Sequence, residues 1–108
     1  MTVNEICTAL GAKSICLPQG EREVLGAYTG DLLSWVMGRA EVDCAWVTIM
    51  SNVNVVAVAS LADVACVILA EDVTLDDDAL VKAQTQRINV LCSSLTSYEV
   101  CARLASLI

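Results

Sequence analysis

Ala65-Cys66-Val67-Ile68-Leu69 is an unbroken apolar run between Asp63 and Glu71. A strand with one wet face alternates polar and apolar residues, whereas a strand covered on both faces reads as continuously apolar. The run therefore predicts a central strand with helices above and below it, which means a largely parallel α/β sheet.

The flanking segments fit that frame. Thr2 is placed to cap a helix from Val3 to Leu10, closed by Gly11. Lys13 to Leu17 reads as a short strand stopped by Pro18-Gln19-Gly20, and Val24 to Tyr28 as a second strand. Thr29-Gly30-Asp31 turns into a helix from Leu32 to Met37, ended by Gly38. Ala45 to Ile49 is a third strand, and Ser51 or Asn52 caps a helix running to about Leu61. After the central strand, Thr74 caps a helix through about Gln86, with Asp76, Asp77 and Asp78 in its first turn, where the helix dipole favours acids. Asn89 to Cys92 is the last strand, and Ser94 or Thr96 caps a final helix. The expectation is one α/β domain over residues 1–108, a largely parallel sheet of about five strands with short helices on both faces.

Composition bears on partners. Of 108 residues, 56% are hydrophobic and 18% charged, an apolar balance for a chain with so much surface per unit volume. Burial against another chain is the economical account, and a homodimer the expectation. The helix from Val53 to Ala62 sharpens it, because only Asn54 and Ser60 are polar and no face is left for water. Val53, Val56, Ala57 and Ser60 are accordingly the candidate dimer face. A net charge of −7 repels phosphate backbones, so nucleic acid is not an expected partner. The start MTVNEICTAL has no basic segment, and the longest apolar run is interrupted by Asn54, Ser60 and Asp63. Neither a secretory signal nor a membrane span is expected, and the chain reads as cytoplasmic.

Catalysis is not expected. There is no histidine, and the six cysteines lie in apolar contexts without paired spacing. They read as reduced core residues and not as metal ligands or disulfides. No phosphate-loop, dinucleotide or metal motif occurs, so no cofactor is expected.

The succession VLGAYTGDLLSWV, WVTIMSNVNVVAVASLADVACVILAED and ALVKAQTQRINVLCSSLTSYEVCARL resembles a DRTGG domain over nearly the whole chain. The resemblance is one of pattern. Where many members carry Gly-Asp-Arg between strand and helix this chain has Met50-Ser51-Asn52, and where they carry Thr-Gly-Gly it has Ala70-Glu71-Asp72. It implies a small stand-alone regulatory domain, similar in fold to the non-catalytic N-terminal domain of HPr kinase/phosphorylase.

Loops that follow parallel strands meet at one sheet edge, where open α/β sheets bind ligands. Thr29, Gly30 and Asp31, then Ser51, Asn52 and Asn54, then Ser94 and Thr96 are the candidate ligand-binding residues there. The ligand they suit is small and of adenine-nucleotide type; most of the same residues are also what helix caps are made of. Regulation through self-association, through another protein or through such a ligand are the readings carried forward.

Overall fold

The computed structural model describes residues 1–108. In chain order the elements are α1 (Val3–Leu10), β1 (Lys13–Cys16), β2 (Gly26–Thr29), α2 (Leu33–Arg39), β3 (Cys44–Thr48), α3 (Val53–Ala62), β4 (Cys66–Leu69), α4 (Asp77–Gln86), β5 (Val90–Cys92) and α5 (Ser97–Leu107). The sheet order is β1-β5-β4-β3-β2. Strands β2 to β5 pair parallel, and β1 pairs antiparallel with β5 across a bulge between Ser14 and Cys16. The continuous apolar run is the central strand β4, and every residue of it is buried.

Pleating sends alternate side chains to opposite faces. Cys44, Trp46, Val67, Leu69 and Val90 join the core under α2, α3 and α4. Ala45, Val47, Cys66, Ile68 and Leu91 join the core under α1 and α5. Trp46 is completely buried, and its indole N–H donates to Gly30 O at 2.9 Å, so its one polar atom is satisfied.

Several boundaries differ from expectation for local reasons. β2 begins at Gly26, and Leu25 projects 72% exposed. Gly38 lies inside α2, which continues to Arg39, whose guanidinium stacks 3.8 Å from the Trp35 ring centroid. α4 starts at Asp77 with Asp76 at the cap, because Leu75 is first buried under the helix layer. Arg87, just past α4, is its left-handed cap residue, φ 57°, and its guanidinium donates to Pro18 O.

The expectation that Val56 of α3 lies on a dimer face is corrected. α3 packs between α2 and α4 of its own chain as well as on the sheet. Val55, Val56, Val58 and Ala59 are buried, while Val53, Ala57 and Ser60 are half-buried. Val56 is 1% exposed and has no surface to offer a partner. Of its apolar residues only Leu61 stands out of the helix, at 72%. In a three-helix layer the middle helix has neighbours on both flanks, which is why its sequence lacks a polar face.

At the end of the sheet where the parallel strands begin, Arg22 ties three loops together. Its Nε donates to Asp43 Oδ1 at 2.8 Å, and one Nη donates to Asp63 O and Oδ1 at 2.7 and 2.9 Å. Asp43 and Asp63 both have left-handed backbones, φ 66° and 56°, so the guanidinium clamps two otherwise unfavourable turns. Arg22→Ala is expected to cost about 2 kcal/mol, chiefly from the less exposed Asp43 pair and the carbonyl bond. Arg22→Lys is expected to recover little, because an ammonium cannot reproduce the fork. Denaturant unfolding checks both; a loss below about 0.5 kcal/mol for the Ala variant would show that the turns hold themselves.

Candidate functional site

The ends of β2, β3, β4 and β5 gather as expected, and hydrogen bonds link their loops. Asp31 Oδ1 accepts from Thr48 Oγ1 at 2.7 Å and from Ile49 N at 3.1 Å, joining the loop after β2 to the end of β3. Ser51 Oγ donates to Asp76 Oδ1 at 3.0 Å, and Ser51 O accepts from Asp76 N, joining the loop after β3 to the start of α4. Glu71 N donates to Leu95 O, Asp72 N to Ser93 O, and the Glu71 carboxylate accepts from Ser97 N at 2.9 Å.

These bonds show what the candidate ligand residues do within the chain. Asn52 is the α3 cap, its Oδ1 accepting from Asn54 N at 2.9 Å. Thr96 and Glu99 form a reciprocal capping box on α5. Asp31 caps nothing: Leu32 occupies the α2 cap position without a side-chain bond, and Asp31 serves instead as a staple to β3. Gly30 supplies the carbonyl that receives the Trp46 indole. Thr29, Asn54 and Ser94 are exposed.

The same edge is strongly acidic. Asp31, Glu71, Asp72, Asp76, Asp77, Asp78 and Glu99 all belong to its loops and first helical turns. Arg22, Arg39 and Arg87 lie toward the opposite end, at the Asp43 and Asp63 turns and at the C-termini of α2 and α4. A phosphate would meet helix N-termini here but also a field of carboxylates. No three Cys, Asp or Glu side chains converge on a point able to hold a metal ion.

The cysteines are all unpaired, with Cys16, Cys44, Cys66 and Cys92 buried and Cys7 and Cys101 partly so. Burial pushes the Cys44 thiol up to about 11 and the Cys66 thiol up to about 12, and raises those of Cys7, Cys16 and Cys92. A thiol displaced in that direction is a poor nucleophile at neutral pH.

The cavities lie elsewhere: a shallow one on α1 beside Asn4, Glu5, Thr8 and Ala9, and two on either side of the edge strand β2. One of about 200 Å³ is lined by Leu25, Tyr28, Arg39, Glu41, Val42 and Cys44 among others. The second, about 410 Å³, runs between β2 and α5, lined by Leu25, Ala27, Thr29, Cys101, Leu104 and Ile108 among others. Leu25, Gly26, Ala27 and Tyr28 border both. Six of the large exposed apolar side chains also fall in this part of the chain: Leu25, Leu32, Trp35, Met37, Val42 and Ile49. Sequence reasoning did not single out this region. Its signal was the uncharged run Val24 to Thr29 followed by an α2 with apolar residues on its outer side.

No family model and no curated protein matches the sequence. Among solved structures the chain is similar to the CBS and DRTGG domains of the regulatory region of a Clostridium perfringens pyrophosphatase, crystallised with its activator diadenosine tetraphosphate. The TM-score is 0.74 at 13% identity, over 95% of this chain and 45% of that one. The likeness is one of fold, and the chain spans less than half of that neighbour's length. Glu71 and Asp72, at the two positions where the sequence resemblance places Gly-Gly, have left-handed backbones with φ 60° and 61°.

Three predictions follow from this geometry. Under native conditions a thiol reagent is expected to label at most Cys7 and Cys101 quickly; rapid reaction of four or more thiols would contradict the buried set. Stability is expected to be insensitive to these thiols below pH about 9, where an ordinary cysteine is still protonated. It should then fall as pH rises toward 11, because the unfolded chain releases the protons that folded Cys44 and Cys66 retain. Replacing both with Ala should flatten that alkaline decline in Tm. Separately, Asp72→Gly should raise Tm by about 2–4 °C, since Gly adopts the left-handed conformation without steric cost and the exposed Asp72 carboxylate makes no hydrogen bond. A drop in Tm would mean that the Asp72 side chain holds the turn.

Proposed function

We propose that this chain is a non-catalytic regulatory module of the DRTGG type that works as a homodimer. The observation that carries the reading is the concentration of uncovered apolar side chains at the β2 end of the sheet, without a nucleophile–base pair beside it. A histidine-free chain with masked thiols offers little to acid–base or covalent catalysis. The fold shared with a regulatory region containing a DRTGG domain supports the class, as does the left-handed pair at Glu71 and Asp72.

A second reading has an observation of its own. The apolar groove between β2 and α5 is wide enough for a heterocyclic base, and the neighbour was crystallised with a dinucleotide activator. No basic residue lines that groove, so it suits an adenine ring better than a phosphate.

Light scattering at micromolar concentration combined with thermal shift separates the two. The expected outcome is a mass twice the 11.5 kDa of the chain and less than about 1 °C of stabilisation by adenosine, AMP, ATP or diadenosine tetraphosphate. A saturable rise of several degrees with any of them would favour the sensor, and a monomeric mass would remove self-association.

A further inference from the structure

Resting on the homodimer reading, we propose that β2 is the dimerisation strand: it pairs antiparallel with β2 of a second copy about a two-fold axis at Ala27, making one continuous ten-stranded sheet, with Leu25 of each copy seated in the other's β2–α5 groove.

The two sheet edges are built differently. β1 carries Lys13, breaks its register at a bulge and runs on to Pro18, all features that discourage a further strand. β2 has neither charge, proline nor bulge, and pairs with β3 in unbroken register. Gly30 N donates to Val47 O, so by strand alternation Gly26 and Tyr28 also face β3, while Ala27 and Thr29 turn their N–H and C=O groups outward. An edge of that kind recruits an extended strand.

The strand it best recruits is itself. Antiparallel pairing centred on Ala27 sets Gly26 opposite Tyr28 of the second copy, and Tyr28 opposite its Gly26. Each is a non-hydrogen-bonded pair, in which side chains come closest. A Cβ built on Gly26 meets nothing within 4 Å, so the space above it is open to the facing Tyr28 ring, the arrangement in which an aromatic covers a strand glycine. At the axis the two outward-facing Ala27 residues form a hydrogen-bonded pair that exchanges two backbone bonds, and their small side chains sit side by side without a clash.

The flanks are self-complementary too. Leu25, 72% exposed, falls opposite Thr29 of the second copy, which borders the second copy's apolar groove of about 410 Å³. The chain thus carries both the groove and the side chain to fill it, on the same edge. The charged residues bordering the strand, Arg39 and Glu41, are one of each sign, so the net charge of −7 is not focused on this contact.

Ala27→Lys tests the pairing. Ala27 is exposed in the single chain, so the lysine is tolerated by the protomer, but in the dimer it brings two ammonium groups face to face. By sedimentation over about 1–100 µM the wild-type chain is expected to dimerise, Ala27→Lys to weaken dimerisation about 100-fold with Tm otherwise kept, and Ser14→Lys on the opposite edge to leave it unchanged. A dimer unaffected by Ala27→Lys overturns the β2 pairing while leaving the homodimer standing. A wild-type chain monomeric throughout overturns both. Hydrogen exchange of the wild type gives a readout independent of any variant. The Ala27 amide should be slowed at high protein concentration and fast at low; protection that ignores concentration contradicts the pairing.

Discussion

A parallel sheet buried at its centre has to be covered on both faces, and this chain has five helices with which to do it. α2, α3 and α4 cover one face, and α1 with α5 the other. Helices pack about 10 Å apart and strands about 4.8 Å apart, so two helices fall short of roofing five strands. The shortfall appears at β2, where Ala27 and Thr29 are exposed and the groove beside α5 opens. Most of what is unusual about the surface follows from that mismatch: the bare edge, the concavities flanking it, and the apolar side chains gathered there.

The opposite constraint acts where the strands end. Every strand-to-helix turn exposes helix N–H groups that need acceptors, and the small polar residues after β3 and before α5 supply them. Asp31 and Ser51 instead lace neighbouring loops together. The edge is therefore held by its own polar side chains and carries an excess of carboxylates. At the other end, Arg22 does the corresponding work with a single guanidinium, fixing Asp43 and Asp63 in left-handed turns that let β3 and β4 begin side by side. One end is secured by many weak bonds and the other by one residue.

Buried thiols fit the same economy. Cys44 and Cys66 lie on adjacent strands but face opposite cores, and act there as small apolar side chains held neutral by burial. A dimer through β2 would leave this interior untouched, because the surfaces it joins are already outside both cores.

The sequence by itself determined the element order, the element boundaries to within a few residues, the central place of Ala65–Leu69 and the cap at Thr2, and it narrowed two other caps to Ser51 or Asn52 and to Ser94 or Thr96, because periodicity and capping are local properties of the chain. It also marked Met50 to Asn52 as the turn between strand and helix. Tertiary structure decided the rest. Whether the apolar α3 faced a partner or its own neighbours depended on α2 and α4 arriving at its flanks, and only the assembled layer shows that they bury Val56. Whether Asp31 capped α2 or stapled β3 depended on where β3 ended in space. That β2 is an edge, and an unprotected one, is a matter of strand order, which no run of residues encodes locally: Val24-Leu25-Gly26-Ala27-Tyr28 would read the same with a neighbour on either side, and only the packing of five helices on five strands leaves it without one.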